Sequence, residues 1–431
     1  MVRLLSSFVA FAVLSSPAFA ENWPQWRGPK NDGMSTEKNL PGKWGFEAGK
    51  PIASDTKPEN IVWKTKLPGP GASTPCIWGE HIFVTAQEDS GLSLICIGTD
   101  GQEKWKKQLS AGTGKARGDE GNLASASCST DGKQVYAFVG SGELVAYDLD
   151  GKEAWKVDTV KTYGKYQIQF GGHWTPVLHK GKLYVTLMHQ KLQTIVCFDA
   201  ASGKEDWKTP RTSDGKGESP DVYSSPFVWE KGDKALLIVH GNDYCTAHEL
   251  ADGKEVWRVT ELNPKKNYNN AWRAVSSPLV TPDLIVVPSC KQHPTVAIDP
   301  NGAAGEIAPG ASLEKWRFKS TPDVPSPLLV DGVVYLMGAN GQLTAVDAKT
   351  GKELYGLRIT NERHRANPAY FDGKILLVGR EGNMVVIKPG TTADPAPIKN
   401  KLNDTFTGSP AISGGRIYLR GWNYLWAIGT K

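Results

Sequence analysis

Short β-branched and aromatic runs, separated by glycine-bearing polar turns, recur along almost the whole chain; 81–85, 135–139, 183–187 and 333–337 are examples. Runs of this length and composition predict strands rather than helices. A second pattern follows them with small variations: LVAYDLDGKEAW ends at Trp155, TIVCFDAASGKEDW at Trp207, CTAHELADGKEVW at Trp257 and LTAVDAKTGKELY at Tyr355. Each phrase is a strand closed by an acid, a Gly-Lys-Glu turn, and an aromatic that starts the next strand. Units recurring every roughly 40–60 residues predict a propeller or a solenoid rather than several independent domains.

Each unit opens on a Ser-Pro-like tripeptide: Ser73-Thr74-Pro75, Trp174-Thr175-Pro176, Ser224-Ser225-Pro226, Ser276-Ser277-Pro278, Pro325-Ser326-Pro327, Ala366-Asn367-Pro368 and Gly408-Ser409-Pro410. Ala126-Ser127-Cys128 is the one opening without proline. Proline is tolerated at the first residue of a strand, where it has no ladder hydrogen bond to lose. Three strands precede the aromatic and a fourth starts with it, which makes each unit a four-stranded antiparallel blade. The expected fold is all-β, an eight-bladed β-propeller.

The last unit, 407–428, runs out of chain after its third strand, and the strand around Trp63 has no blade before it. Pairing these two closes the ring and removes both free edges. The repeated aromatics Trp63, Trp105, Trp155, Trp207, Trp257, Trp316 and Tyr355 form a docking set. They are expected to pack between blades against a small slot of a neighbour, filled by Ala146, Ala247, Ala297, Ala345 and Ala427 and by Cys96 and Cys197.

The chain divides into a signal peptide at 1–20, an extended arm at 21–59 and the propeller at 60–431. Arg3, the apolar run 4–14 and the triplet Ala18-Phe19-Ala20 have the pattern of a secretory signal, with cleavage after Ala20. That pattern predicts a soluble periplasmic or secreted protein, and no later segment has the ~20 apolar residues of a membrane span. The arm carries Trp23, Trp26 and Trp44 without strand alternation and is expected to lie on the ring. Two insertions, 161–172 and 300–311, read as surface loops.

A net charge of +5 from dispersed lysines and arginines excludes a nucleic-acid-binding tract. Of six cysteines, Cys96 and Cys197 occupy the alanine slot and read as buried free thiols. Cys76 with Cys128 and Cys245 with Cys290 lie in successive repeats, where spacing alone leaves a bridge open.

The phrase Ala-x-Asp-x-x-x-Gly-Lys-Glu-x-Trp resembles the tryptophan-docking repeat of quinoprotein-type, pyrroloquinoline quinone (PQQ)-like propellers, over nearly all of the chain after residue 20. NWPQWRGPKNDGMS, LPGPGASTP and VPSPLLVDGVVYL are similar to exported PQQ-binding-like propellers of planctomycete-type bacteria. The resemblance implies one of two roles. One is a non-catalytic binding scaffold; the other is a dehydrogenase holding PQQ and Ca²⁺, or a descendant that keeps the cofactor cavity. Such dehydrogenases typically carry adjacent cysteines near the cofactor, and this chain has none.

In a propeller, segments leading into the innermost strands line the channel mouth. Here they supply Glu120, Asn122, Gln169, His173, Asp221, Tyr223, Asn270, Trp272, Arg273, Asp323, Arg363, His364, Arg365 and Asp404. His173, Asp221, Trp272, Arg273, Asp323 and Arg365 are the candidate ligand-binding residues, because an arginine beside an exposed tryptophan holds a planar anion. Asp221, Asp323 and Asp404 would serve a metal or act as base in the dehydrogenase reading, with Arg273, Arg363 and Arg365 for the cofactor acids. Scattered histidines without His-x-His, His-Glu-x-x-His or Cys-x-x-Cys give no zinc motif. GTGKARG around Gly112 lacks the serine or threonine of a phosphate loop. The expectation is a monomeric binding scaffold for a protein, glycan or small-molecule ligand, with no resident cofactor, metal or catalytic residue.

Overall fold

The computed structural model describes residues 21–47, 57–111, 122–291 and 293–430. The signal-peptide segment, the GTGKARG stretch and Glu120 lie outside them. The described residues form eight antiparallel blades, seven of four strands and one with a fifth. The first blade shows the plan: a short inner strand Cys76–Trp78, then His81–Glu88, Gly91–Gly98 and the outer strand Glu103–Ala111. The inner strands of the next seven blades are Ser129–Thr130, Val177–His179, Phe227–Lys231, Leu279–Val280, Leu328–Val330, Ala369–Phe371 and Ala411–Ser413.

The ring closes as the unpaired ends require. Ile61–Lys66 is the outer strand of the last blade and pairs antiparallel with Tyr424–Ile428, Trp63 opposite Ala427 and Lys66 opposite Tyr424. Neither strand keeps an open edge there.

The docking aromatics hold the blades together through a contact the repeat did not reveal. Cys96, Ala146, Cys197, Ala247, Ala297 and Ala345 stand in register opposite Trp105, Trp155, Trp207, Trp257, Trp316 and Tyr355 within the same blade, and a β-bulge follows each of them. The small slot therefore belongs to the tryptophan's own blade, where a large ring needs a small cross-strand partner, and not to a neighbour. On the next blade the ring meets the glycine of the turn. A Cβ on Gly101, Gly151, Gly203, Gly253 or Gly351 would lie 2.5–2.9 Å from Trp63, Trp105, Trp155, Trp207 or Trp316. Those glycines also have φ between 69° and 88°, the left-handed region that side chains disfavour. The five indoles then donate to carbonyls of that same turn region, those of Thr99, Leu149, Ala200, Leu250 and Ala348, at 2.8–3.1 Å.

Gly203→Ala is thus expected to destabilise the protein by about 1–3 kcal/mol more than Gly181→Ala, because overpacking against Trp155 adds to the backbone strain. Gly181 has φ +75° with nothing within 4 Å of its Cβ direction, so it isolates the strain alone. Equal shifts in denaturation midpoint for the two variants would remove the docking explanation.

Trp257 departs from the set because of the 300–311 insertion. The sequence reads that segment as a surface loop, but Gly305–Ile307 adds a fifth strand, parallel to Glu255–Val259, with Gly305 opposite Trp257. An outer strand leaves a ladder edge, and an apolar Ile307 beside it gains burial by pairing there. The 161–172 insertion, read from sequence as a loop, begins inside a helical turn, Thr159–Tyr163, capped by the Asp158 carboxylate. All six cysteines are buried and unbridged.

The 21–47 segment crosses the ring. Trp23 exchanges two backbone hydrogen bonds with Ile77 of the first inner strand. The buried Arg27 donates to the Pro327 carbonyl of the sixth blade, and Gly33 and Ser35 pair with Tyr370 of the seventh. Beyond these, Trp44 is held by Asn400, and the Glu37 carboxylate accepts from the Gly414 and Gly415 amides.

Candidate functional site

The residue before the strand-opening proline builds a belt around the channel. Proline pushes the preceding residue into extended backbone, and an innermost strand offers that residue's N–H no partner on the channel side. The side chain of the next blade supplies one. Thr74 N–H donates to Ser127 Oγ, Ser127 to Thr175, Thr175 to Ser225, Ser225 to Ser277, Ser277 to Ser326, Ser326 to Asn367, Asn367 to Ser409, and Ser409 back to Thr74. The eight bonds measure 2.6–3.2 Å and close the circle. Ser127 keeps its place in the belt although a cysteine replaces the proline after it.

Above the belt lies a cavity of about 300 Å³ walled by the segments that enter the inner strands. His173, Arg273, Asp323 and Arg365 all face it, together with Phe170 and Tyr223. Trp26 of the crossing segment also reaches it, packing against Phe227 with ring centroids 6.0 Å apart, so the cavity has an indole on its strand side.

The charged groups are tied to particular partners. Arg273 forms an ion pair with Glu218 and lies over the Phe170 ring, 5.2 Å from its centroid. Arg365 donates to the His364 carbonyl. Asp323 sits at φ +70°, a conformation uncommon for a residue with a side chain, and its Oδ1 takes a weak bond from the Cys290 thiol at 3.5 Å. Burial first, then the neighbouring Asp323, pushes that thiol up to about 12. His173 Nε2 meets the Phe170 carbonyl at 2.7 Å, and burial outweighs this contact to hold the imidazole below its ordinary value and therefore neutral. The Tyr223 hydroxyl is buried without a partner in hydrogen-bonding geometry. Burial raises it well above the ordinary phenol range, and so does the neighbouring Asp221 carboxylate, against an opposing contribution from the Phe170 backbone.

Of the six residues singled out from sequence, four meet at this cavity and two stand behind it. Trp272, expected as an exposed stacking surface, is fully buried in the core between the fourth and fifth blades, where apolar neighbours take its whole face. Asp221 is buried in a loop, bonded to Gln190 Nε2 at 2.9 Å, and burial raises its carboxyl above the ordinary range. Asp404 is a loop brace: its carboxylate accepts from the Thr405, Asn423 and Tyr424 amides. Arg363 lies 4.0 Å from Glu381. Sequence reading missed Trp26, whose position depends on the crossing segment, and the belt, whose only signal was the hydroxyl or amide residue before each proline.

The donor set does not suit a divalent cation. Asp323 is the one carboxylate among the cavity residues, and no three His, Cys, Asp or Glu side chains converge as a metal-binding group among the described residues. A PQQ molecule would find an indole and two guanidinium groups here, but no carboxylate set for the accompanying Ca²⁺.

Comparison with known proteins places these features in context. A family model described as outer membrane protein assembly factor BamB matches residues 47–162, 88–208, 141–304 and 232–431. BamB of Yersinia pestis is 21% identical over 377 residues, 83% of this chain and 86% of that protein. A lanthanide-dependent methanol dehydrogenase of Methylorubrum extorquens is 28% identical over 163 residues, 35% of this chain but only 25% of its own length. Among solved structures, BamB from Moraxella catarrhalis superposes with a TM-score of 0.61 at 14% identity, covering 86% of this chain and 97% of that one. A europium-containing methanol dehydrogenase superposes at 0.67 with 11% identity, over 95% and 89%. These likenesses show a shared fold.

Proposed function

The chain belongs to the PQQ-type β-propeller family of the outer membrane protein assembly factor BamB, and on that footing we propose that it is an exported, non-catalytic binding protein whose ligand sits in the channel-mouth cavity. The observation that carries this reading is the cavity itself. It is a concave site bounded by His173, Arg273, Asp323 and Arg365 and backed by Trp26, the form expected of a small-molecule site with a few converging polar groups. Export rests on the pattern of residues 1–20. No helix among the described residues is long and apolar enough to cross a membrane.

A second reading, a PQQ dehydrogenase or a descendant retaining the cofactor cavity, draws support from the coincidence of Asp323, Asn367, two arginines and an indole at one cavity. It falls short at the ion, since a quinoprotein oxidation needs a divalent cation beside the quinone as well as a base. The purified protein, incubated with PQQ and Ca²⁺, is therefore expected to oxidise neither alcohols nor sugars with an artificial electron acceptor. Turnover that disappears in Asp323→Ala would overturn the non-catalytic reading.

A further inference from the structure

Where the belt meets the cavity it presents polar hydrogens. Seven of its eight stations are serine or threonine, and each hydroxyl oxygen accepts an N–H from the preceding blade, which leaves its own proton to donate. Thr175, Ser225, Ser326 and Ser409 face the cavity, and among the described residues no acceptor takes their hydroxyl protons. Asn367, the fifth station there, accepts through Oδ1 and keeps its Nδ2 hydrogens uncommitted. All five side chains are at most 7% exposed. A buried donor left without an acceptor costs stability, so an arc of five around one axis favours a ligand that meets them.

The same cavity holds acceptors. Asp323 faces it with a carboxylate whose described side-chain contact is the weak bond from the Cys290 thiol. His173 gives its Nε2 hydrogen to the Phe170 carbonyl and is neutral, so its Nδ1 carries a bare lone pair. Tyr223 adds a hydroxyl without a partner, able to act in either sense. The guanidinium groups are already engaged within the protein, Arg273 by Glu218 and Arg365 by partners that include the His364 carbonyl. A ligand therefore meets donors and acceptors, but no spare positive charge.

Resting on the proposal that the mouth binds a small ligand, we infer that this ligand is a neutral saccharide of one ring. A hydroxyl is the group that accepts one hydrogen bond and donates another, so a sugar hydroxyl takes a proton from the belt and passes its own to Asp323 or His173. An acceptor-only group, such as a carbonyl, leaves the Asp323 carboxylate facing lone pairs; a donor-only group leaves the belt unmet. An acid brings a charge into a closed space with no free counter-charge, which is costly. The rings of Trp26, Phe170 and Tyr223 supply apolar surface for the C–H face of the sugar. A cavity of about 300 Å³ holds one monosaccharide rather than a chain. Water serves the same groups singly, whereas a sugar fixes several hydroxyls on one rigid frame and releases those waters.

Titration calorimetry on the whole protein tests this with matched pairs, D-glucose with D-glucuronate and D-galactose with D-galacturonate. The neutral sugar of at least one pair should bind about tenfold or more tighter than its acid. Asp323→Asn is the diagnostic variant, because asparagine tolerates the left-handed backbone there and keeps an acceptor oxygen while losing the charge. A neutral acceptor makes roughly half the hydrogen bond of a charged one. The variant should therefore weaken the neutral sugar about tenfold with the melting temperature unchanged. Should it fail to fold, Asn367→Asp keeps the Oδ1 acceptor for the Ser326 N–H, replaces the Nδ2 donors by a second oxygen, and should weaken the same sugar about tenfold. Acids binding as tightly as the neutral sugars in both pairs, or unchanged binding of the neutral sugar in a folded variant, would overturn the saccharide inference and leave the mouth as a small-molecule site. Failure of every member of both pairs to bind would overturn the inference and the small-ligand reading with it.

Discussion

Removal of residues 21–67 should abolish cooperative unfolding. The deletion takes away the strand Ile61–Lys66 and exposes the third strand of the last blade, Tyr424–Ile428, along its whole ladder edge. It also removes Trp23, Leu40, Trp44 and Leu67, all buried in the same core cluster as the first, seventh and eighth blades. Trp63 goes too, leaving Gly101 without the ring that covers it and the Thr99 carbonyl with the Arg416 guanidinium alone. A fully buried tryptophan is worth about 3–5 kcal/mol when truncated, and a whole domain keeps only about 5–15 kcal/mol of net stability. Loss of the buried Trp23 and Trp44, with the partly buried Trp63, is therefore comparable to the whole net stability before the lost closing ladder is counted. The truncated chain should melt over a broad, shallow range by circular dichroism. A sharp transition at the full-length midpoint would sink the closure model. A shorter deletion, 21–47, spares Trp63 and the closing strand and should lower the midpoint while preserving a single transition.

Closure was legible in the sequence because it is a matter of counting strands, and an unpaired third strand at one end of the chain has to meet an unmatched fourth at the other. The docking phrase was legible as a repeat, but its mechanics were not. Sequence placed Ala or Cys nine or ten residues before the aromatic, except where the 300–311 insertion separates Ala297 from Trp316, and that spacing is the cross-strand register within a blade, such as Ala146 opposite Trp155. The inter-blade partner is a glycine one repeat further on, Gly203 under the same Trp155. A contact that reaches into the following unit leaves no signature in local spacing. The glycine itself was visible only as a turn former.

The belt shows the same limit from the other side. Proline after each Ser or Thr explained the strand start well enough that the preceding side chain needed no further reason. Only when the inner strands stand around a common axis does Ser225 come within reach of the Thr175 amide. The channel-mouth residues were legible in part, since topology alone sends the segments before the inner strands to one end of the ring. Sequence could not separate those whose side chains reach the axis, such as Asp323, from those turned into the wall, such as Trp272 and Asp221. That choice depends on local backbone. Asp323 is held at φ +70°, whereas the space around Trp272 is filled by apolar neighbours from two blades. Trp26 belongs to a segment without periodicity, and its place follows from Trp23, Arg27 and Tyr370 contacts on three different blades.

Mild acid should destabilise the protein well before its carboxylates titrate. His189, His240, His248 and His364 are at most 1% exposed. Burial is the first cause in each case, and it lowers His240 to about 3 and the other three to about 4. Arg211 beside His240 and His248, and Arg365 beside His364, act in the same direction. Backbone hydrogen bonds raise His240, His248 and His364, but burial outweighs them; at His189 the contacts themselves favour the neutral ring. His189 Nδ1 lies near the Gln167 and Lys191 amides and accepts from both, so a proton there would break both bonds. In the unfolded chain these imidazoles regain their ordinary value near 6.5 and bind protons as the pH falls through it, while the folded chain binds none until about pH 4. The unfolded state then holds more protons, and stability drops with falling pH throughout that window. Each untitrated histidine contributes up to about 1.4 kcal/mol per pH unit, so four approach roughly 5 kcal/mol per unit near pH 5. Carboxylates held low, such as Asp299 at about 2 beside Lys315, act only below their ordinary range near 4, and Asp32 and Asp221, raised by burial, act above it in the opposite sense, so a net fall between 6.5 and 4.5 comes from the histidines. The melting temperature should fall steeply between those two values. His240→Asn, which removes the lowest of the four, should flatten the dependence by at most about a quarter, since His173 and the remaining histidines are also lowered by burial, even if it lowers stability at pH 7. A melting temperature independent of pH from 6.5 to 4.5 would mean that these imidazoles are charged in the folded ring, and the neutral core drawn around them would have to be abandoned.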